Sequence, residues 1–223
     1  MKSTSAQPFL IMELVRSSWG SLLASPGLLL GTTALYVAFI LRYPGFNFGA
    51  MNYHSLGYIA LVGFLSIVVT GILSIILLAG LIKIFLMHHD GHKPSGAELF
   101  RHRSLFWKFI FTEVMVALII MIGLVFFIIP GIILAIKLNF AGYISVDKEL
   151  GPSEAIKESW RITRGKKWLV AKMIITIAVI NIIAAFANIG GLLVSLSLTL
   201  MMQVHAYRAL EKDPGNQKAF AIE

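Results

Sequence analysis

The chain reads as an all-α polytopic membrane protein, and three observations lead there. Of 223 residues, 57% are hydrophobic and only 13% are charged, a balance outside that of ordinary soluble domains. Apolar runs of about 20 residues, enough to cross a ~30 Å hydrocarbon layer, recur from residue 26 to residue 209. These runs are apolar on every side rather than alternating, which excludes the strands of a membrane barrel. With no cysteine, disulfides and thiolate chemistry are excluded too. The N-terminal stretch carries Glu13 and Arg16 and no small-residue cleavage site, so its first apolar segment is expected to stay as an anchor.

The expected architecture is one membrane domain, residues 1–223, of six spans arranged as three hairpins. Each hairpin follows a short amphipathic helix at the cytoplasmic interface. Ser25 and Pro26 supply the N-cap and first residue of a span at about 26–41. The run from Ser55 to His88 is too long for one upright span and too short for two, and predicts one tilted helix at about 55–87. From Ser104 to Val146 the chain is almost continuously apolar, ~65 Å as a single helix, so it must fold back. Ile129-Pro130-Gly131-Ile132 is the expected turn, with Gly131 taking the positive φ, which places spans at about 106–128 and 132–147. "FANIGGLL" likewise separates spans at about 168–187 and 191–209, ahead of a short polar tail at 211–223.

The interfacial helices are expected at 8–24, 95–103 and 152–164. "ELVRSSW" (Glu13 to Trp19) lines up with "EAIKESW" (Glu154 to Trp160), and "ELFR" (Glu98 to Arg101) is a shorter echo. Acidic-apolar-apolar-basic patterns also arise in unrelated interfacial helices, so a threefold repeat and convergence both stand. Pro152 starts the third helix and Gly165 stops it, while Ser95 and Glu98 have capping-box spacing in the second.

With both termini cytoplasmic, Arg42 alone among the 19 Lys and Arg residues falls in an outer loop and Lys137 inside a span. The rest, from Lys2 and Arg16 to Arg208, Lys212 and Lys218, are cytoplasmic, a strong positive-inside bias. The formal charge of +8 then reflects topology and anionic lipid on the cytoplasmic side, not nucleic acid. Lys157, Arg161, Arg164, Lys166 and Lys167, with Trp160, are the expected headgroup contacts.

"IIPGIILAIKLNFAGYISVDKELGPSEAIKESWRITRGKKW", "GLIKIFLMHHDGHKPSGAELF" and the ending "GLLVSLSLTLMMQVHAYRAL" resemble an uncharacterised bacterial family of six-helix integral membrane proteins. That family is related to the membrane domain attached to some glycerophosphodiester phosphodiesterases. The resemblance implies a bacterial inner-membrane helical protein. The soluble domain that carries catalysis in the fused proteins has no counterpart in this sequence, so their activity is not implied.

One intramembrane polar site is a candidate: Lys137, ~10 Å along its helix from Pro130, with Asn181 and Glu113. Either these three form a site between spans, or Lys137 snorkels and Asn181 joins two helices. His88, His89, His92 and His102, near Asp90 and Glu98, lie in one loop, but no pair has a recognised ligand spacing, so no metal and no cofactor is expected. Ser195, Ser197 and Thr199 lack a histidine base at their depth and read as packing, and no catalytic set emerges. The leading expectation is a non-catalytic membrane protein that binds lipid or another membrane protein, a second copy of itself included. A small transporter is the alternative, and an intramembrane lipid enzyme the third.

Overall fold

Inside hydrocarbon every backbone N–H and C=O must find a partner within the protein, and a helix meets that demand within one segment. The computed structural model describes residues 11–42, 56–92, 103–186 and 188–213, and among these it contains nine α-helices and no strand. They are α1 (Ile11–Ala24), α2 (Pro26–Arg42), α3 (Leu56–His89), α4 (Arg103–Phe126), α5 (Ile128–Leu138), α6 (Ala141–Lys148), α7 (Pro152–Ile162), α8 (Lys167–Phe186) and α9 (Asn188–Glu211). Five stretches are long and apolar enough to cross a membrane: Gly71–His89, Phe106–Phe126, Ile128–Lys148, Lys167–Phe186 and Gly190–Glu211. A sixth is Ile11–Ala24 with Pro26–Phe39, bent by 96°. The chain is therefore an all-α polytopic membrane protein. Positions 95–102 of the expected second interfacial helix with its capping box at Ser95, and the tail beyond residue 213, lie outside the described residues, as do positions 8–10 of the first interfacial helix; Arg103 begins α4.

The turn of the second hairpin is not where Pro130 and Gly131 suggest. Phe127, with φ −157° and ψ 136°, is the extended residue between α4 and α5. Pro130 falls in the first turn of α5, where a missing N–H costs nothing. Gly131 is helical, with its N–H donated to the Phe127 carbonyl. It is glycine because α4 passes so close: a Cβ there would lie 2.7 Å from the Leu124 backbone nitrogen, and one on Gly123 would lie 3.0 Å from the Gly131 Cα. Small residues at facing positions let the two helices of this hairpin touch backbone to backbone.

A second departure lies further along the same hairpin. The expected span at 132–147 is two helices, broken at Asn139 and Phe140. A break between two helices frees carbonyls that α5 cannot satisfy itself. The Lys137 carbonyl accepts from Ser159 Oγ at 2.8 Å and Thr163 Oγ1 at 3.2 Å, both presented by α7 and its C-cap. Helix α7 starts at Pro152, with the Gly151 N–H donated to Glu154, and buries Ala155, Ser159 and Ile162 against its neighbours α4, α5 and α6.

Helix α1 uses the same face logic differently. Leu14, Ser18 and Leu22 form its buried stripe, and it packs chiefly on α9. Leu14 borders a small cavity with Met173, Ala206 and Leu210, whereas Trp19 borders a groove with Ser195 and Gly191. The contacts of α1 therefore reach from Leu210 toward Gly191 along α9. In the aligned segments, Leu14 and Ala155 are buried, Ser18 and Ser159 are buried, and Trp19 and Trp160 are exposed.

A shared core joins α3, α6 and α9: Phe85, Phe140, Tyr143, Ile144, Met201 and Tyr207 are all buried there. At the opposite end Val125, Phe126, Phe127 and Phe186 are exposed, at the α4–α5 turn and the end of α8. Because Leu14 shares a cavity with Leu210, the start of α1 and the end of α9 lie at the same, polar end of the bundle.

Candidate functional site

The polar end is built by residues that terminate helices. Gly91 (φ 80°) turns the chain after α3 and leaves Asp90 at its rim, while Glu149 (φ 54°) caps α6 just past Asp147 and Lys148. Helix α9 brings Tyr207, Arg208 and Glu211 between them. The Arg208 guanidinium reaches Asp147 at 2.6 and 2.8 Å, Asp90 at 2.5 and 3.1 Å, and Glu211 at 2.9 Å. Tyr207 donates its hydroxyl to Asp147 at 2.8 Å. Lys148 continues the chain of pairs to Glu211 at 3.0 Å and Glu158 at 2.9 Å, and Arg161 closes on Glu158 at 2.6 Å. Four carboxylates and three cations thus nearly neutralise one another across α3, α6, α7 and α9.

These pairs set the acidity of the rim. Burial alone would raise the Asp90 carboxyl, but its hydrogen bonds to Arg208 and His89 outweigh that and hold it below its ordinary range. Glu158 is held at about 2, first by the Arg161 hydrogen bonds and then, against partial burial, by Lys148. Two further ties seal the same end: Lys108 Nζ donates to the Glu149 carbonyl at 2.6 Å, and Lys166 pairs with Asp213.

Lys137, Glu113 and Asn181 occupy three separate surroundings. Lys137 Nζ sits 3.6 Å from the ring centroid of Trp160, a cation–π contact with α7. Glu113 packs its carboxylate on Gly142 of α6, beside Phe109, and no hydrogen bond or ion pair joins it to Lys137 among the described residues. Asn181 links α8 to α9, donating to Thr199 at 3.0 Å and accepting from Ser195 at 3.1 Å. Ser197 extends this ladder to Thr33 of α2 at 2.9 Å.

The expected headgroup residues divide into two sets. Arg161 and Lys166 have acidic partners, whereas Lys157, Arg164 and Lys167 are exposed and have none among the described residues. Trp160 and Trp168 are exposed beside them. His89 lies 3.3 Å from Asp90 and packs edge-on to His205; His88 and His92 do not complete a metal-ligating group with them among the described residues, and His102 and Glu98 lie outside those residues. The sequence reading missed the Arg208 cluster, because its members are spread from position 90 to position 211 and only the fold assembles them. The pair Asp147-Lys148 at the end of an apolar run was the one local signal.

No protein-family model and no solved structure matches the chain. Comparison with curated proteins finds a UPF0259 membrane protein of Pectobacterium carotovorum subsp. carotovorum (strain PC1), 28% identical over 116 residues. The match covers 48% of this chain and 46% of that relative, about half the length of each. It bears out likeness to an uncharacterised bacterial membrane family, and nothing in it links the chain to glycerophosphodiester phosphodiesterases. The protein is thus a multi-pass membrane protein with a UPF0259 membrane protein among its relatives.

Proposed function

We propose that the chain is a non-catalytic component of a bacterial inner membrane, and that its polar end holds anionic lipid headgroups on the cytoplasmic side. The observation that carries this reading is the division of charge there. Asp90, Asp147, Glu158 and Glu211 are consumed by Arg208, Lys148 and Arg161, so the exposed cations Lys157, Arg164 and Lys167 remain without acidic partners among the described residues. Cations beside interfacial tryptophans suit a phosphate layer, at ~1 kcal/mol each near an anionic surface. A cytoplasmic location for both termini is part of the proposal, supported by the positive-inside bias and by the shared end of α1 and α9.

The test is retention of phosphatidylglycerol by the purified protein, counted by native mass spectrometry. Lys157→Gln, Arg164→Gln and Lys167→Gln together should reduce it severalfold while leaving the melting temperature near that of the wild type. Unchanged retention would refute the proposal.

Transport has one observation in its favour. The break at Asn139 and Phe140 interrupts a spanning stretch, and Asn139 Nδ2 is buried there without a partner. Discontinuous helices form the binding sites of many transporters.

A further inference from the structure

We propose that the groove between α5 and the start of α8 holds one acyl chain of an anionic glycerophospholipid, whose phosphate rests on Lys167. This rests on the lipid-binding reading above and assigns it a place. The groove has a volume of about 320 Å³ and is walled by Ile129, Ile132, Ile133, Ile136, Trp168 and Ala171, with Lys167 the single charged residue. It opens outward, since Ile129 and Trp168 are both 73% exposed.

Charge decides the occupant. An apolar channel with one unpaired cation at its rim fits a ligand that is a chain with an anion at one end. Lys166 beside it is already paired with Asp213, and Lys167 has no acidic partner among the described residues. Lys167 begins α8 at the polar end of the bundle, and Trp168 and Ala171 lead inward from it. A helix from a second copy would fill the apolar wall and leave the lysine unmatched. The chain itself gains nothing in the groove that the surrounding lipid does not already offer. Selection must therefore come from the headgroup, by about fivefold, the equivalent of ~1 kcal/mol.

The test uses the full chain in nanodiscs with phosphatidylglycerol or phosphatidylcholine carrying a photoactivatable acyl chain, and maps the crosslinked peptides. Phosphatidylglycerol should label Ile132 to Ile136 and Trp168 to Ala171 about fivefold more than phosphatidylcholine. Lys167→Gln should abolish that preference, and Ile132→Trp, which fills the mouth, should lower labelling by both probes. Arg16→Gln, which removes an exposed cation on α1, should change it less than twofold. Melting temperatures close to the wild type show that the variants are folded. Equal labelling by both probes, or a preference that survives Lys167→Gln, overturns the assignment. If phosphatidylglycerol retention persists in that case, only the groove is refuted; if retention is also lost, the wider lipid-binding reading falls with it.

Discussion

Arg208 grips both carboxylate oxygens of Asp147, with Nη1 2.6 Å from Oδ2 and Nη2 2.8 Å from Oδ1, across 61 positions of sequence. The two-pronged geometry suits only arginine among cations, and the side chains are 13% and 16% exposed, so solvent screens the pair weakly. Removing Arg208 strands Asp147, whereas removing Asp147 leaves Arg208 with Asp90 and Glu211. Arg208→Met should cost about 3 kcal/mol and Asp147→Asn about 1 to 2 kcal/mol, seen as lower melting temperatures in detergent. Arg208→Lys should recover only part of the loss caused by Arg208→Met. An Arg208→Lys protein as stable as the wild type would contradict the bidentate account.

Lys137 is held by Trp160, and coupling should follow that contact. Lys137→Met and Trp160→Leu should each destabilise by about 1 kcal/mol and combine non-additively by more than ~0.5 kcal/mol. Lys137→Met with Glu113→Gln should be additive. Coupling in the second cycle and none in the first would restore an intramembrane pair and favour transport.

The Gly131 position tests the close hairpin. The backbone nitrogen of Leu124 cannot swing aside as a side chain can, so Gly131→Ala should destabilise by about 1 to 3 kcal/mol. Gly20→Ala, where a Cβ meets nothing within 4 Å, should be neutral or slightly stabilising because it only gains helix propensity. Equal effects at both positions would mean that α4 and α5 are further apart.

Glu158 gives the polar end an acid limit. Its folded value of about 2 lies below the ordinary 4.5, so the unfolded chain takes up its proton first as pH falls. The stabilisation is complete above about pH 4.5 and is lost between there and about pH 2. Melting curves from pH 7 to pH 3 should show the wild type losing stability faster than Glu158→Gln, with the two converging at the acid end. Parallel curves would mean that the Lys148 and Arg161 contacts do not hold the carboxylate.

Hydropathy carried the architecture further than it carried the details. The lengths of the apolar runs were enough for α3, for the fold-back after α4 and for the α8–α9 pair, because bilayer thickness is a constraint written into every run. Phe127 was missed as the turn, since Pro130 and Gly131 each have a second use: one opens a helix, the other allows close approach. The Asn139 break has no breaker residue in the sequence and depends on hydroxyls from Ser159 and Thr163, more than twenty residues away. Asn181 stood out in the sequence as a polar residue inside an apolar run, but its partners Ser195 and Thr199 became visible only when α8 and α9 were paired.

Spin-labelled lipids report the first shell around the protein directly. In mixed bilayers, labelled phosphatidylglycerol should associate severalfold more than labelled phosphatidylcholine, and 0.5–1 M salt should erase most of the difference as the Debye length falls to ~3–4 Å. That preference should be lost in the Lys157→Gln, Arg164→Gln, Lys167→Gln protein. Equal association of the two lipids at low salt would contradict the account.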